Sequence, residues 1–305
     1  MKITKEIKAS EEEIESLEMH SVVNIISVIS SQLQLLQMES DYPELLDAAI
    51  NRAMAFADAS HSKDKSVFNL ESLNEFEDLV NRSLAELSKK QPELKDDSKV
   101  SEYSNIMKSV FEVFEVRLKE IVQRWEYPDA WIPFSVDSFV DDFKEFFYAM
   151  EKNSQGRYKI IYNIAEQDEK DYLVNFAINS EGEEIIHMPL ILKDVIRDLI
   201  ANARKYTPPG GDITIGISQK DEVFKFVVED TGYGIPEDEI GKVVDYGYRA
   251  SNVKDTVRTM GGGFGLTKAY HVIDQLGGEM WIDSEVGSGT KITVQIPIPE
   301  HVGGG

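Results

Sequence analysis

Between Ile14 and Met38, apolar residues recur at steps of three and four with no proline or glycine, a pattern that predicts one long helix. The run breaks at Glu39-Ser40-Asp41-Tyr42-Pro43. It resumes through ELLDAAINRAMAFADAS, with Pro43 suited to a first helical turn, so a helical hairpin is expected. Leu70 to Lys90 and Val100 to Trp125 are also helical in pattern, the second carrying Ile106, Val110, Val113, Leu118 and Ile121 among charges. YPDAWIPF, with Pro128 and Pro133, reads as a rigid boundary between a helical region over 1–128 and a second domain over 134–300. Beyond it the period shortens to two in RYKIIYNIA, YLVNFAIN, DITIGIS, EVFKFVVED, EMWIDS and KITVQIP, which predicts strands. Helical runs at Val136 to Met150, Leu190 to Tyr206 and Gly265 to Leu276 separate them. The expected class is therefore α+β, with a helical bundle followed by a mixed sheet carrying helices. No internal repeat or low-complexity segment interrupts this order.

Composition narrows the functions. Against 32 basic residues stand 55 acidic ones, a net charge of −23 over 305 residues, which argues against nucleic acid as a partner. An apolar fraction of 42% is enough for two packed cores. The absence of cysteine removes disulfides, thiolate metal sites and thiol nucleophiles together. No stretch approaches the roughly 18 consecutive apolar residues of a membrane span, and the first residues have no apolar signal core. The expectation is a cytoplasmic chain with no membrane span of its own, or the cytoplasmic part of something longer, with HVGGG at its end as a linker.

Four segments carry candidate chemistry. In LILKDVIRDLIANARKYTPPGGDITI, residues Asp194, Asp198, Asn202 and Lys205 share one helix face. That face suits Mg²⁺ on phosphate oxygens, or is a solvated surface. The strand EVFKFVVED ends at Asp230 and runs into Thr231-Gly232-Tyr233-Gly234, where a carboxylate can accept an adenine amino group or close a turn. Gly261-Gly262-Gly263-Phe264-Gly265-Leu266 opens a helix, and glycine-rich backbone there can hold an anion; residues 247–260 before it have the polar, aperiodic character of a lid. In the first helix Glu13, Ser16, His20, Asn24, Ser27, Ser31 and Gln34 form a polar seam on an otherwise apolar cylinder. Burial of that cylinder on several sides fits a four-helix bundle made by two hairpins of a homodimer. On the seam, His20 is a candidate nucleophile or an ordinary exposed histidine. His61, His187, His271 and His301 lack such a setting.

From about Phe134 to Pro299 these boxes resemble, in order and spacing, the α/β sandwich that binds ATP in the GHKL superfamily, as found in sensor histidine kinases. The resemblance implies ATP and Mg²⁺ as cofactors. LIANARKYT is similar to the family's asparagine box, which implies Asn202 as the Mg²⁺ ligand and Lys205 and Tyr206 beside phosphates and ribose. EDTGYGIP resembles the first glycine box, with Asp230 reading adenine beside Gly232 and Gly234; Tyr246 to Arg249 takes the place of the aromatic and arginine box. Gly261, Gly263, Gly265 and Leu266 resemble the second glycine box, and Gly289-Thr290 the pair whose threonine lies near adenine. Met19-His20-Ser21-Val22-Val23-Asn24 resembles a dimerisation and phosphoacceptor helix. The implied activity is autophosphorylation of His20 and transfer to an aspartate of a response regulator, with Asn24 either orienting a water that removes phosphate from the regulator or serving as polar filler on the seam.

Three positions depart from the family pattern. Asp198 replaces a second asparagine and allows a base for ATP hydrolysis. Phe264 stands within the glycine box, where it is expected to alter lid packing. Ser21 replaces the acid that usually follows the histidine. Two alternatives therefore stand beside the kinase: a GHKL ATPase or serine protein kinase, and a degenerate kinase serving as a phosphotransfer scaffold.

Overall fold

The computed structural model describes residues 1–5, 11–62, 64, 66–92, 99–127, 130–154, 156–180, 184–220, 222–254 and 263–300. The chain divides into two compact units, Ser10–Pro128 and Asp129–Gly305 together with Met1–Ala9.

In the first unit, helical periodicity becomes α1 (Glu11–Glu39), α2 (Asp47–Ser62) after a short 3-10 turn at Pro43–Leu45, α3 (Leu70–Lys90) and α4 (Lys99–Glu126). Asn69 starts α3 by accepting the Ser72 N–H at 2.8 Å, and Lys89 and Lys90 face the negative end of its dipole. Helix α1 packs against α2 and α4, and α3 packs against the same two, so the helices close a ring. Met19, Val22, Ile26, Ile29, Leu33 and Leu36 supply the buried stripe of α1. Facing them is an aromatic cluster in which Phe76 lies 5.4 Å from Phe56 and 5.1 Å from Phe111, centroid to centroid.

Two further helices of the same chain complete this core, α4 against α1 and α3 against α2. Phe76 is fully buried, and Phe76→Ala should cost about 3–5 kcal/mol, seen as a lower denaturant midpoint for loss of helical circular dichroism. An unchanged midpoint would contradict this packing. Along α1, Asn24, Ser27, Ser31 and Gln34 are exposed, as the seam requires; the side chains of Glu13, Ser16 and His20 lie outside the described residues.

The second unit is a mixed sheet in the order β2-β3-β5-β6-β8-β7, formed by β2 (Ile160–Ile161), β3 (Tyr172–Ser180), β5 (Asp212–Lys220), β6 (Val223–Asp230), β7 (Glu279–Glu285) and β8 (Gly289–Pro297). The β2-β3 and β3-β5 pairs are parallel and the others antiparallel. Alternate residues such as Ile213, Ile215, Phe224, Phe226, Ile292 and Val294 bury one face. Packed in the same core are α5 (Val136–Asn153), α6 (Leu190–Tyr206) and α7 (Gly265–Gln275), with Leu192, Val195, Ile196, Leu199 and Ile200 of α6 at helical spacing.

Three boundaries differ from the sequence reading. Trp131–Ser135, expected to lie partly in the boundary, is strand β1 and pairs antiparallel with β4 (Ile185–Pro189) in a separate two-stranded sheet. Its Pro133 lacks an N–H, which an edge strand tolerates. RYKIIYNIA yields only the short β2, because the Asn163 side chain accepts the Ala165 N–H at 3.1 Å and turns the chain into a 3-10 helix at Ile164–Glu166. Finally, residues 1–5 do not belong with the helices. The Ile3 N–H donates to Met280 O at 2.9 Å, the Ile282 N–H to Met1 O at 2.9 Å, and Ile3 is buried in the sheet core. Among the described residues no helix is long and apolar enough to cross a membrane.

Candidate functional site: an anion-ready pocket at the end of α6

Four chain ends meet around the last turn of α6. Asp230, the final residue of β6, lies opposite Thr290 of β8 in the ladder and opposite Ile213 of β5. Its Oδ1 accepts the Gly232 N–H at 2.8 Å. A side chain on Gly232 would put its Cβ 2.3 Å from Tyr206 O and 2.6 Å from Asp230 Oδ1, so only glycine brings these three groups together. The Tyr233 N–H donates to Tyr206 O at 3.0 Å, which pins the glycine box to the end of α6. Burial pushes the Asp230 carboxyl up to about 6, against the pull of hydrogen bonds from Gly232, Thr290 and Thr207. A buried carboxylate of that kind is suited to an amino-group donor.

One turn back along α6, the setting turns cationic. The Lys205 ammonium is driven below the usual lysine range, first by burial and then by repulsion from Arg249 and Arg204. Its Nζ lies 5.0 Å from the centroid of the Tyr206 ring. Burial pushes the Tyr206 phenol up while Arg249 opposes it, so Arg249 acts on both residues. Two arginines thus act on the Lys205 ammonium, which gathers positive charge at the end of α6. Arg249→Ala should weaken nucleotide binding several-fold at low salt and less at high salt, because screening replaces part of what is lost. Affinity that is identical at both salt levels would remove Arg249 from the site.

Asn202 occupies the third level. A Cβ on Gly265 would sit 3.0 Å from Asn202 Nδ2, so the glycine that opens α7 lets the two helices approach at this asparagine. Phe264, the residue before α7, makes no side-chain cap, and a helix N-terminus of this kind suits an anion. Asp198, one turn before Asn202, is bound by Lys268 of α7, with Oδ2 2.9 Å from Nζ. Asp194, the fourth residue expected on this face, is instead buried beside Arg197 at 3.5 Å.

Of the remaining expected residues, Gly234 lies buried beneath the β7-β8 turn and receives Asn252 Nδ2 on its carbonyl at 2.9 Å. Thr290 Oγ1 is 2.8 Å from Ser284 Oγ. Leu266 packs on the sheet core, and Gly263 abuts Gly247 and Tyr248. Gly261 and Arg258 lie outside the described residues. Tyr246 and Phe264, which flank residues 247–260 expected as a lid, meet ring to ring at 4.6 Å. Sequence reasoning missed Thr207, Arg204, Asn252 and Lys268. Thr207 and Arg204 adjoin the asparagine box and were legible from it; Asn252 and Lys268 matter only through contacts across the fold.

The arrangement fits an adenine nucleotide: a hydrogen-bond acceptor at one end, cations in the middle, a helix N-terminus and an amide oxygen at the other. Among the described residues no three His, Cys, Asp or Glu side chains converge on a metal position, so Mg²⁺ at Asn202 would draw its other ligands from phosphate and water. Residues 188–300 match the family of histidine kinase-, DNA gyrase B- and HSP90-like ATPases. The similarity is confined to this C-terminal segment. Over 113 residues it is 38% identical to the sensor histidine kinase WalK of Bacillus subtilis, a match covering 36% of this chain and 18% of that protein. Over 107 residues it is 35% identical to the histidine protein kinase DivJ of Caulobacter vibrioides, covering 35% and 18%. The matched segment thus spans less than a fifth of these relatives. Among solved structures, a mycobacterial sensor histidine kinase MprB is similar over 54% of this chain and 97% of its own, at 21% identity and a TM-score of 0.38.

Proposed function

We propose that the chain is an ATP-dependent protein-histidine kinase of a two-component system, working in the cytoplasm. The reading rests above all on the buried Asp230, bonded by the Gly232 N–H in a glycine turn that Tyr233 pins to the end of α6 beside Lys205. In it, Asp230 accepts the adenine amino group, Thr290 lies beside it, and Tyr206, Lys205 and Arg249 flank ribose and phosphates. Asn202 holds Mg²⁺, and the glycines with Leu266 at the start of α7 cover the phosphate tail. Bound Mg²⁺ supplies charge neutralisation on the phosphate oxygens. His20 is the acceptor nucleophile, and a response regulator receives the phosphoryl group from it. Asn24, exposed one turn further along α1, orients a water for the phosphatase reaction in this reading.

Incubation with Mg²⁺ and ATP labelled in the γ-phosphate tests the assignment. Acid-labile, alkali-stable label on the protein is the expected result. Acid-stable label, or free phosphate released with none retained on protein, would contradict it.

A further inference from the structure

Helices α6 and α7 touch through two stacked contacts. Asn202 and Asp198 are one turn apart on α6, and the groups they meet, Gly265 and Lys268, are three residues apart on α7, so each pair lies on one helix face. The upper contact brings α7 backbone to the asparagine. The lower one is an ion pair between a Lys268 side chain only 6% exposed and an Asp198 side chain 35% exposed. A buried ammonium persists in that position because its counter-ion is there. Asp198 in turn stands one turn from the proposed metal ligand, with enough exposure to meet water.

We propose that Lys268 is a positioning residue that holds Asp198 as a fixed counter-ion and thereby keeps it from activating water against the terminal phosphoryl group. This rests on reading the pocket as a MgATP site. In the reaction it suppresses, a water oxygen bonds to the γ-phosphorus as the bond from that phosphorus to the β,γ-bridging oxygen breaks. The water proton passes to the Asp198 carboxylate, and ADP and phosphate leave. The ion pair turns the carboxylate toward α7 and away from a water on the terminal phosphoryl group, so that group is kept for a protein acceptor. The same pair accounts for a carboxylate at this position in a chain read as a kinase.

The test uses the full chain with Lys268→Met, Lys268→Arg, Asp198→Asn and the double variant Asp198→Asn/Lys268→Met. Lys268→Met should raise phosphate release from MgATP at least about tenfold at unchanged nucleotide affinity. Lys268→Arg should keep it low, and the double variant should return it to the wild-type rate. Independently of activity, denaturant midpoints without nucleotide should be non-additive, the double variant losing less than the sum of the single ones. Unchanged release in Lys268→Met with affinity intact, or additive midpoints, would overturn the proposal. Should Lys268→Met fail to fold, Asp198→Asn decides: unchanged release is expected, and a tenfold fall would show an active base and overturn it. Wild-type protein that binds no MgATP would overturn the kinase reading along with this one, whereas intact binding with a negative result removes only the role of Lys268.

Discussion

Replacing His20 by glutamine is expected to abolish acid-labile phosphorylation while MgATP affinity stays within about twofold of wild type. The imidazole nitrogen is the only acceptor the proposed chemistry uses, and the second hairpin that completes the bundle, α3 and α4, contains no histidine to replace it. The effect is therefore all or nothing, read as label retained after alkali and lost after acid. Label persisting in the variant would place the acceptor elsewhere. Ser21 beside it gives a companion measurement, because a serine takes up a proton far less readily than the acid usual at that position. Ser21→Glu should speed labelling without changing nucleotide affinity.

Asp230 carries the second large effect. Hydrogen bonds to a charged group contribute about 1.5–3 kcal/mol, so Asp230→Ala should weaken adenine-nucleotide binding about 10- to 100-fold. The pH dependence has a definite sign. The carboxyl titrates at about 6 in the folded chain, above the ordinary 3.8, and only its ionised form accepts the amino group without restriction. Wild-type affinity should fall as pH drops through 6. ATP phosphates titrate nearby, so the diagnostic quantity is the wild-type profile minus that of Asp230→Asn. For folding, a raised value means that the native state holds this proton more tightly than the unfolded chain. The stability cost is absent below about pH 4, grows as pH rises to 6, and is constant above, reaching on the order of 2–3 kcal/mol. Asp230→Asn should therefore raise the melting temperature above pH 6 and leave it nearly unchanged below pH 4. Parallel profiles for the two proteins would detach the shifted carboxyl from both effects.

The helices and most strands were legible because long amphipathic runs leave few alternatives: Leu70 to Lys90 is α3 to the residue, and the alternation of EVFKFVVED is β6. The misreadings share a cause. MKITK offers one inward side chain, Ile3, and bridges to β7 at Lys2 and Trp281 only because that edge accepts it. WIPFS contains a proline, and RYKIIYNIA yields its backbone bonds to Asn163. An apolar cylinder such as α1 specifies that it is covered but not by which helices, so its packing against α4 was not legible. The face holding Asp198, Asn202 and Lys205 could be read from helical spacing, and Asp230 from its place at a strand end before glycines. The tie between Asp198 and Lys268, 70 residues apart, follows no periodicity.

Calorimetric titration of the wild-type chain with MgATP at pH 7.5 tests the central claim most directly, that the end of α6 grips an adenine nucleotide between Asp230 and its cations. Saturable heat is predicted, displaced by ADP and strongly reduced in Asp230→Ala. No heat at millimolar nucleotide, or identical curves for the two proteins, would contradict it.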